Sequence, residues 1–223
     1  LNQNDKKKYL EELKNINNNN NKNIPPKFKI LSSDIDINIK TNIITNIDAL
    51  NNMEPGTGEY SKMEQWINYI TKIPFNKTIP LPINSKNDLS EKQKFISNTK
   101  KIMDQSIYGH EEAKNHILQV IGKWIQNPSS QGNILAIQGP MGNGKTTLIK
   151  EGVSKAINRP FHFIALGGAS DSSYLNGHSY TYEGSRWGRI VDILIQSQCM
   201  NPIIYFDELD KVSETYKGEE IIH

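Results

Sequence analysis

The apolar residues of this chain follow three kinds of pattern, and each predicts a different kind of structure. Tyr60, Met63, Trp66, Ile67, Ile70 and Ile73 recur at helical spacing and form one stripe, so a core-facing helix is expected there, ended by Pro74. Residues 74–90, with Pro74, Pro80 and Pro82, read as a connector, and a second helix is expected over Ser90 to Met103. After Ile107-Tyr108-Gly109-His110, the residues Ala113, Ile117, Val120, Ile121 and Trp124 share a face of a further amphipathic helix. The second pattern is the short continuous apolar run: Asn133 to Gln138, Phe161 to Leu166, and Pro202 to Phe206. Between these runs lie helical spacings at Leu148, Ile149, Val153, Ala156 and Ile157 and at Ile190, Val191, Ile193 and Leu194. Strand-helix alternation with continuous apolar strands predicts an α/β fold with a parallel sheet covered on both faces. The third pattern is the lack of one. Residues 1–40 are rich in Asn, Lys and Ile, contain the run Asn17 to Asn21, and close on Pro25-Pro26. They read as a flexible low-complexity linker, relieved by a short helical spacing of Tyr9, Leu10 and Leu13 within Lys6 to Ile16. The expected organisation is therefore a linker over 1–40, a helical segment over 41–103 and an α/β domain over 104–223.

Composition narrows this picture modestly. With 223 residues, 22% charged, 36% hydrophobic and a net charge of +2, the chain is neither a polycation that coats nucleic acid nor an acidic tail. The single Cys199 cannot form an internal disulfide, and Leu1-Asn2-Gln3-Asn4-Asp5 lacks the apolar core of a secretion signal. No apolar run reaches the roughly 18 residues of a membrane span. The expectation is a reducing compartment, cytoplasm or organelle matrix, with no membrane partner.

The chemistry is concentrated in Gly139-Pro140-Met141-Gly142-Asn143-Gly144-Lys145-Thr146, which satisfies G-x-x-x-x-G-K-[ST] and is followed by Thr147. An apolar run precedes it and a helical spacing follows, the order that a phosphate-binding loop requires. Glycines permit backbone angles that a Cβ would penalise, so that successive N–H groups turn toward phosphate oxygens, and the helix dipole adds to the same field. Lys145 would reach the β- and γ-phosphates of ATP and Thr146 would offer its hydroxyl to Mg²⁺. A glycine-rich turn that merely matches the pattern is the bland alternative.

The apolar run ending in Asp207-Glu208, roughly sixty residues downstream, supplies the expected partner of such a loop. Asp207 can hold Mg²⁺ directly or through water, and Glu208 can polarise the attacking water. Asp210 and Lys211 read as residues that cap and solvate the next loop. Tyr108 either forms a wall on which an adenine stacks or packs on the following helix; the pattern leaves both open. His110, His162 and His178 show no metal-ligand spacing, His116 reads as a surface residue, and no Cys-x-x-Cys exists, so no zinc site is expected.

Taken together, the loop Gly139 to Leu148, Leu166-Gly167-Gly168, Gly177-His178, Thr181-Tyr182, Gly188-Arg189-Ile190 and Asn201-Pro202 through Phe206-Asp207-Glu208-Leu209-Asp210-Lys211 closely resemble the ATPase module of the Lon proteases. Upstream, Glu59-Tyr60, Trp66-Ile67-Asn68-Tyr69-Ile70 and Ile73-Pro74-Phe75 resemble the helical segment before that module, and Tyr108-Gly109 resembles its nucleotide-pocket dipeptide. The resemblance covers about residues 41–223 and makes 104–223 the large subdomain of an AAA+ ATPase. It implies a homo-oligomer, hexameric in that family, which hydrolyses ATP to unfold protein substrates and thread them into a peptidase. It also implies that Tyr182 occupies the pore-loop position that grips substrate; a plain connecting loop is the alternative there. Glu183 stands where the family has an aliphatic residue, Ser179-Tyr180 replaces a basic pair, and Trp187 replaces a small or proline-associated position. The sensor residues, the arginine given to a neighbouring subunit and the Ser-Lys peptidase would lie beyond His223, making this chain a fragment. The competing class is a protease-free remodelling or nucleic-acid-handling ATPase, such as a loader or packaging motor, although composition gives nucleic acid no particular support.

Overall fold

The computed structural model describes residues 9–11, 24–128, 134–167, 171–178, 187–212 and 216–222, and the chain divides into two units, residues 1–72 and 73–223.

Among its described residues the first unit holds helical residues 9–11 and three longer helices. Helix α1 (Pro26–Ser32) starts on a proline at its first turn, where the missing N–H costs no hydrogen bond. Helix α2 (Ile37–Asn51) is capped by Asp36, whose carboxylate accepts from Asn38 N at 2.8 Å, and α3 (Gly58–Ile70) by the Thr57 hydroxyl on Tyr60 N at 3.2 Å. Ile30, Ile43, Ile47, Met63 and Ile67 form the core between them. This corrects the expectation of a flexible linker through residue 40. Pro25-Pro26 begins a helix, and Ile30 is 2% exposed in the same cluster as Ile43 and Ile47. The run Asn17 to Asn21 lies outside the described residues.

The second unit opens with the connector, which Asn201 ties to the approach of the last strand. The Asn201 amide accepts from Ile79 N at 2.8 Å and donates to Ile79 O at 2.9 Å, and Met200 N donates to Lys77 O at 2.7 Å. Helix α4 (Leu89–Ser106) begins with a reciprocal capping box between Asp88 and Glu91, and α5 (Glu111–Gln126) follows a tight bend at Ile107 to His110. Helix α6 runs through the turns Lys145–Thr147, Leu148–Val153 and Ser154–Ile157, the middle one wound wider as a π-helix. It lies close against α4. A Cβ at Gly152 would sit 2.8 Å from Ser106 Oγ, so glycine sets the distance. Asn158, in the left-handed region, ends the helix.

Strands β1 (Phe161–Ala165) and β2 (Ile203–Asp207) pair in parallel, from Phe161 opposite Ile203 to Ala165 opposite Asp207. The short helix α7 (Ser173–Asn176), α8 (Arg189–Ser197), a 3-10 turn at Leu209–Lys211 and α9 (Tyr216–Ile222) are the remaining described elements of this unit. One cluster, with Met103, Ile117, Ile121, Leu148, Val153 and Ile157 at its centre, packs Phe161, Ile203 and Tyr205. The other, Ile164, Leu166, Leu175, Ile193 and Val212, packs Ile204 and Ile190. Both strands thus contribute to both clusters, as a buried parallel pair should. The strand expected over Asn133 to Gln138 does not form: the described sheet has two strands, and residues 134–140 join neither. Leu135 and Ile137 pack on the first cluster while Ile134 is 99% exposed, which is the alternation of an extended segment without a ladder partner. Among the described residues no helix is long and apolar enough to cross a membrane.

Candidate nucleotide site

The loop Gly139 to Lys145 turns through two left-handed glycines, Gly142 at φ 76° and Gly144 at φ 86°, and passes directly into α6. Both angles fall where a side chain is penalised, so the motif's glycines are required by backbone geometry. Two contacts tighten the same requirement. A Cβ at Gly139 would lie 2.6 Å from Asn143 Nδ2, and one at Gly144 would collide with Ile107 Cδ1. Lys145 sits at the helix start with its ammonium on the loop's own carbonyls, 2.7 Å from Gly139 O and 2.8 Å from Pro140 O. Gly139, Pro140, Met141 and Gly142 are exposed, as is Thr147, whereas Asn143, Gly144, Lys145 and Thr146 are half-buried. The loop therefore presents an open rim and an anchored base.

Behind the loop runs the bend Ile107 to His110. Gly109 takes φ 76° and His110 φ 58°, so the chain reverses before α5 starts. Lys114 pins this bend from inside. Its side chain is 1% exposed, and its ammonium donates to Asp104 Oδ1 and Ile107 O, both at 2.8 Å, while its backbone N–H donates to His110 O at 3.0 Å. His110 Nε2 lies 2.9 Å from Asn143 O. A carbonyl only accepts, so Nε2 carries the proton in this contact. Tyr108 is 99% exposed, which removes the reading in which it packs on α5.

At the far end of β2, Asp207 is paired opposite Ala165 and its carbonyl accepts from Leu166 N at 2.9 Å. Glu208 follows in the left-handed region at φ 58°, an unusual conformation for a glutamate that turns the chain off the strand at once. Its carboxylate is held by Lys211 and lies against Gly167, where a Cβ would collide with Glu208 Oε2. Lys211 is thus more than the solvated loop residue expected from sequence. Hydrogen bonding and attraction to Glu208 push its ammonium above the ordinary lysine pKa. Gly167 likewise acquires a specific reason to be glycine.

Tyr182 lies outside the described residues, but the segment that contains it is framed. Gly177 and Trp187 form an antiparallel bridge, and Gly188 follows so tightly on α7 that a Cβ there would collide with Leu175 O. Gly177 and Trp187 are therefore held side by side. Elsewhere, Ser197 Oγ donates to Ile193 O at 2.6 Å and lies 2.8 Å from His162 Nε2, so Nε2–H donates a hydrogen bond to the hydroxyl oxygen and does not activate it as a nucleophile. Burial first, and the charge of Arg189 second, hold the His162 pKa below its ordinary value. His116 and His178 are exposed. Among the described residues no three His, Cys, Asp or Glu side chains converge on one point. A divalent ion at this site would draw on phosphate oxygens as well as Thr146 and Asp207, which is how Mg²⁺ is commonly bound beside nucleotides.

The model of the ATPase family associated with various cellular activities (AAA) matches residues 135–221, from the run before the phosphate loop to α9. A Lon protease homolog of Acanthamoeba polyphaga mimivirus is 35% identical over 96% of this chain and 21% of its own length. The mitochondrial Lon protease homolog of Yarrowia lipolytica is 36% identical over 82% of this chain and 14% of its own. The Lon protease of Syntrophus aciditrophicus is 31% identical over 78% of this chain and 20% of its own. The chain thus spans about a fifth or less of the length of these curated relatives. Phosphate loop, strand-end carboxylates and this homology lead to one identification: the chain carries an AAA ATPase domain and is homologous, over most of its length, to a part of the Lon proteases.

Proposed function

We propose that this chain is the nucleotide-driven part of an ATP-dependent protease, binding ATP with Mg²⁺, hydrolysing it and coupling hydrolysis to protein unfolding and translocation. The observation that carries the reading is the pair of features in one α/β unit: a left-handed glycine loop leading into α6 at Lys145, and a parallel strand ending in Asp207-Glu208. Backbone N–H groups of Gly142 to Thr146 bind the phosphates, and Lys145 leaves its carbonyl partners for the β- and γ-oxygens. Mg²⁺, when bound, neutralises charge on those oxygens. Thr146 and Asp207 are the residues that would hold it, and Glu208 orients and polarises the attacking water. Lys211 holds the Glu208 carboxylate in place through their ion pair.

The second half of the reading concerns mechanical work. Tyr182 is the residue that engages substrate in this reading, and the bridge between Gly177 and Trp187, the described residues flanking its segment, is compatible with it. Aromatic contacts suit that role because they depend little on the sequence being gripped. A ring of identical subunits, six in the related proteases, would complete each site with an arginine from a neighbour, and such a residue is worth orders of magnitude in rate. The test is ATP turnover by the full-length protein with an unfolded polypeptide or with DNA added. Stimulation by polypeptide, lost in Tyr182→Ala, is expected. Stimulation by DNA alone would instead support a nucleic-acid-handling ATPase, and unchanged turnover in Glu208→Gln would remove the catalytic assignment.

A further inference from the structure

The phosphate loop has a partner that its motif does not specify. His110 lies 33 positions before Asn143, yet its Nε2 stands 2.9 Å from the Asn143 carbonyl. In a trans peptide the carbonyl of one residue and the N–H of the next point in opposite directions, and the structure contains no cis peptide among the described residues. Whatever holds the Asn143 carbonyl therefore aims the Gly144 N–H the opposite way, away from His110. Gly144, at φ 86°, has no side chain to restrict that peptide plane.

We propose that His110 is a positioning residue for the phosphate site: by donating to Asn143 O it sets the orientation of the Asn143–Gly144 peptide and hence the readiness of the Gly144 N–H to bind phosphate. The inference rests on the reading of Gly139 to Thr146 as a phosphate loop. Three further observations fit this role. The imidazole is withdrawn from the usual duty of its position, since His110 starts α5 without capping it through its side chain. The backbone on which it sits is fixed at both ends of the bend by Lys114, through Ile107 O and His110 O. The Ile107 side chain also occupies the space that a Cβ at Gly144 would need, so bend and loop touch at two successive residues of the loop. A group preset before binding spares the ligand the cost of ordering it.

The experiment compares His110→Leu with His110→Gln in the full chain, by titration with a fluorescent ADP analogue at fixed Mg²⁺. Leucine and glutamine carry similar backbone penalties at φ 58°, but only the glutamine amide can reach and donate as Nε2 does. His110→Leu is expected to weaken binding about fivefold, the value of one ordinary hydrogen bond, while His110→Gln stays within about twofold of the parent. Equal thermal midpoints for the two variants would accompany this, because the role is in orientation and not in folding. Leucine binding as tightly as the parent would overturn the proposal, and so would equal weakening in both variants, which would trace the effect to the backbone. The loop reading fails separately: in that case the parent binds no nucleotide, or Lys145→Ala binds it as well as the parent.

Discussion

The two ends of the proposed nucleotide site are built by different means. The loop Gly139 to Thr146 is a backbone device. Its shape comes from left-handed glycines, and the groups proposed to bind phosphate are peptide N–H groups whose direction depends on where the chain runs. The Asp207-Glu208 end is a side-chain device. A strained residue throws a carboxylate off the end of a strand, and Lys211 and Gly167 decide where that carboxylate rests. Backbone devices tolerate side-chain change at their variable positions and lose affinity when the fold beneath them shifts. Side-chain devices keep affinity and lose chemistry. Binding and turnover in this chain should therefore be separable by mutation.

The sharpest break is Glu208→Gln. Loss of a general base costs about 10² to 10⁴ in rate, so turnover should nearly vanish while ADP titrations remain close to the parent. If affinity fell as far as turnover, the two ends would not be separable and the contrast would collapse. Next is Lys145→Ala, which acts on the opposite end. Removing a charge-assisted contact to phosphate should weaken nucleotide binding by roughly a hundredfold, read by the same titration. Smaller still is Gly167→Ala. The nearest groups to the added methyl all belong to the Glu208 side chain, so the fold survives, but displacing its carboxylate from Lys211 by about an ångström should reduce turnover roughly tenfold or more with binding intact. An unaltered rate in Gly167→Ala would mean that Glu208 acts from a different position.

The smallest effect lies in β1, outside both ends. His162 has its pKa lowered in the folded chain by burial and by Arg189. Above the unfolded value of about 6.5 both states are neutral and His162 adds no pH dependence. As pH falls below about 6.5 the unfolded chain binds a proton that folded His162 resists, so stability declines until the lowered folded value is passed. Thermal midpoints at neutral and mildly acidic pH should drop further in the parent than in His162→Gln.

Helical stripes such as Met63, Ile67 and Ile70, or Ile117 and Ile121, are legible because the helix period is an intrinsic property of the chain. The apolar runs at Phe161 and Ile203 are legible as strands for a related reason, since β-branched and aromatic residues in short runs suit an extended, buried backbone. The run after Asn133 has the same composition and fails to become a strand. Extension is local, but a ladder needs a neighbour, and residues 134–140 have none among the described strands. Residues 26–40 illustrate the reverse error. They adjoin the asparagine-rich stretch, although they hold a single asparagine themselves, and nothing short of the contact among Ile30, Ile43 and Met63 reveals that three helices share a core.

The same division runs through the site. Gly142, Gly144 and Lys145 announce themselves because the demands on them arise within a few residues: a positive φ here, a helix start there. Asp207-Glu208 is legible as acidic residues ending an apolar run, but not as a carboxylate resting on Gly167, which requires the register that sets Ala165 opposite Asp207. His110 on Asn143 and Lys114 beneath Ile107 were invisible for the same reason. A local pattern encodes which backbone angles and which buried faces a segment prefers; which distant group then meets that backbone depends on how whole helices and strands pack, and packing is a property of the assembled chain.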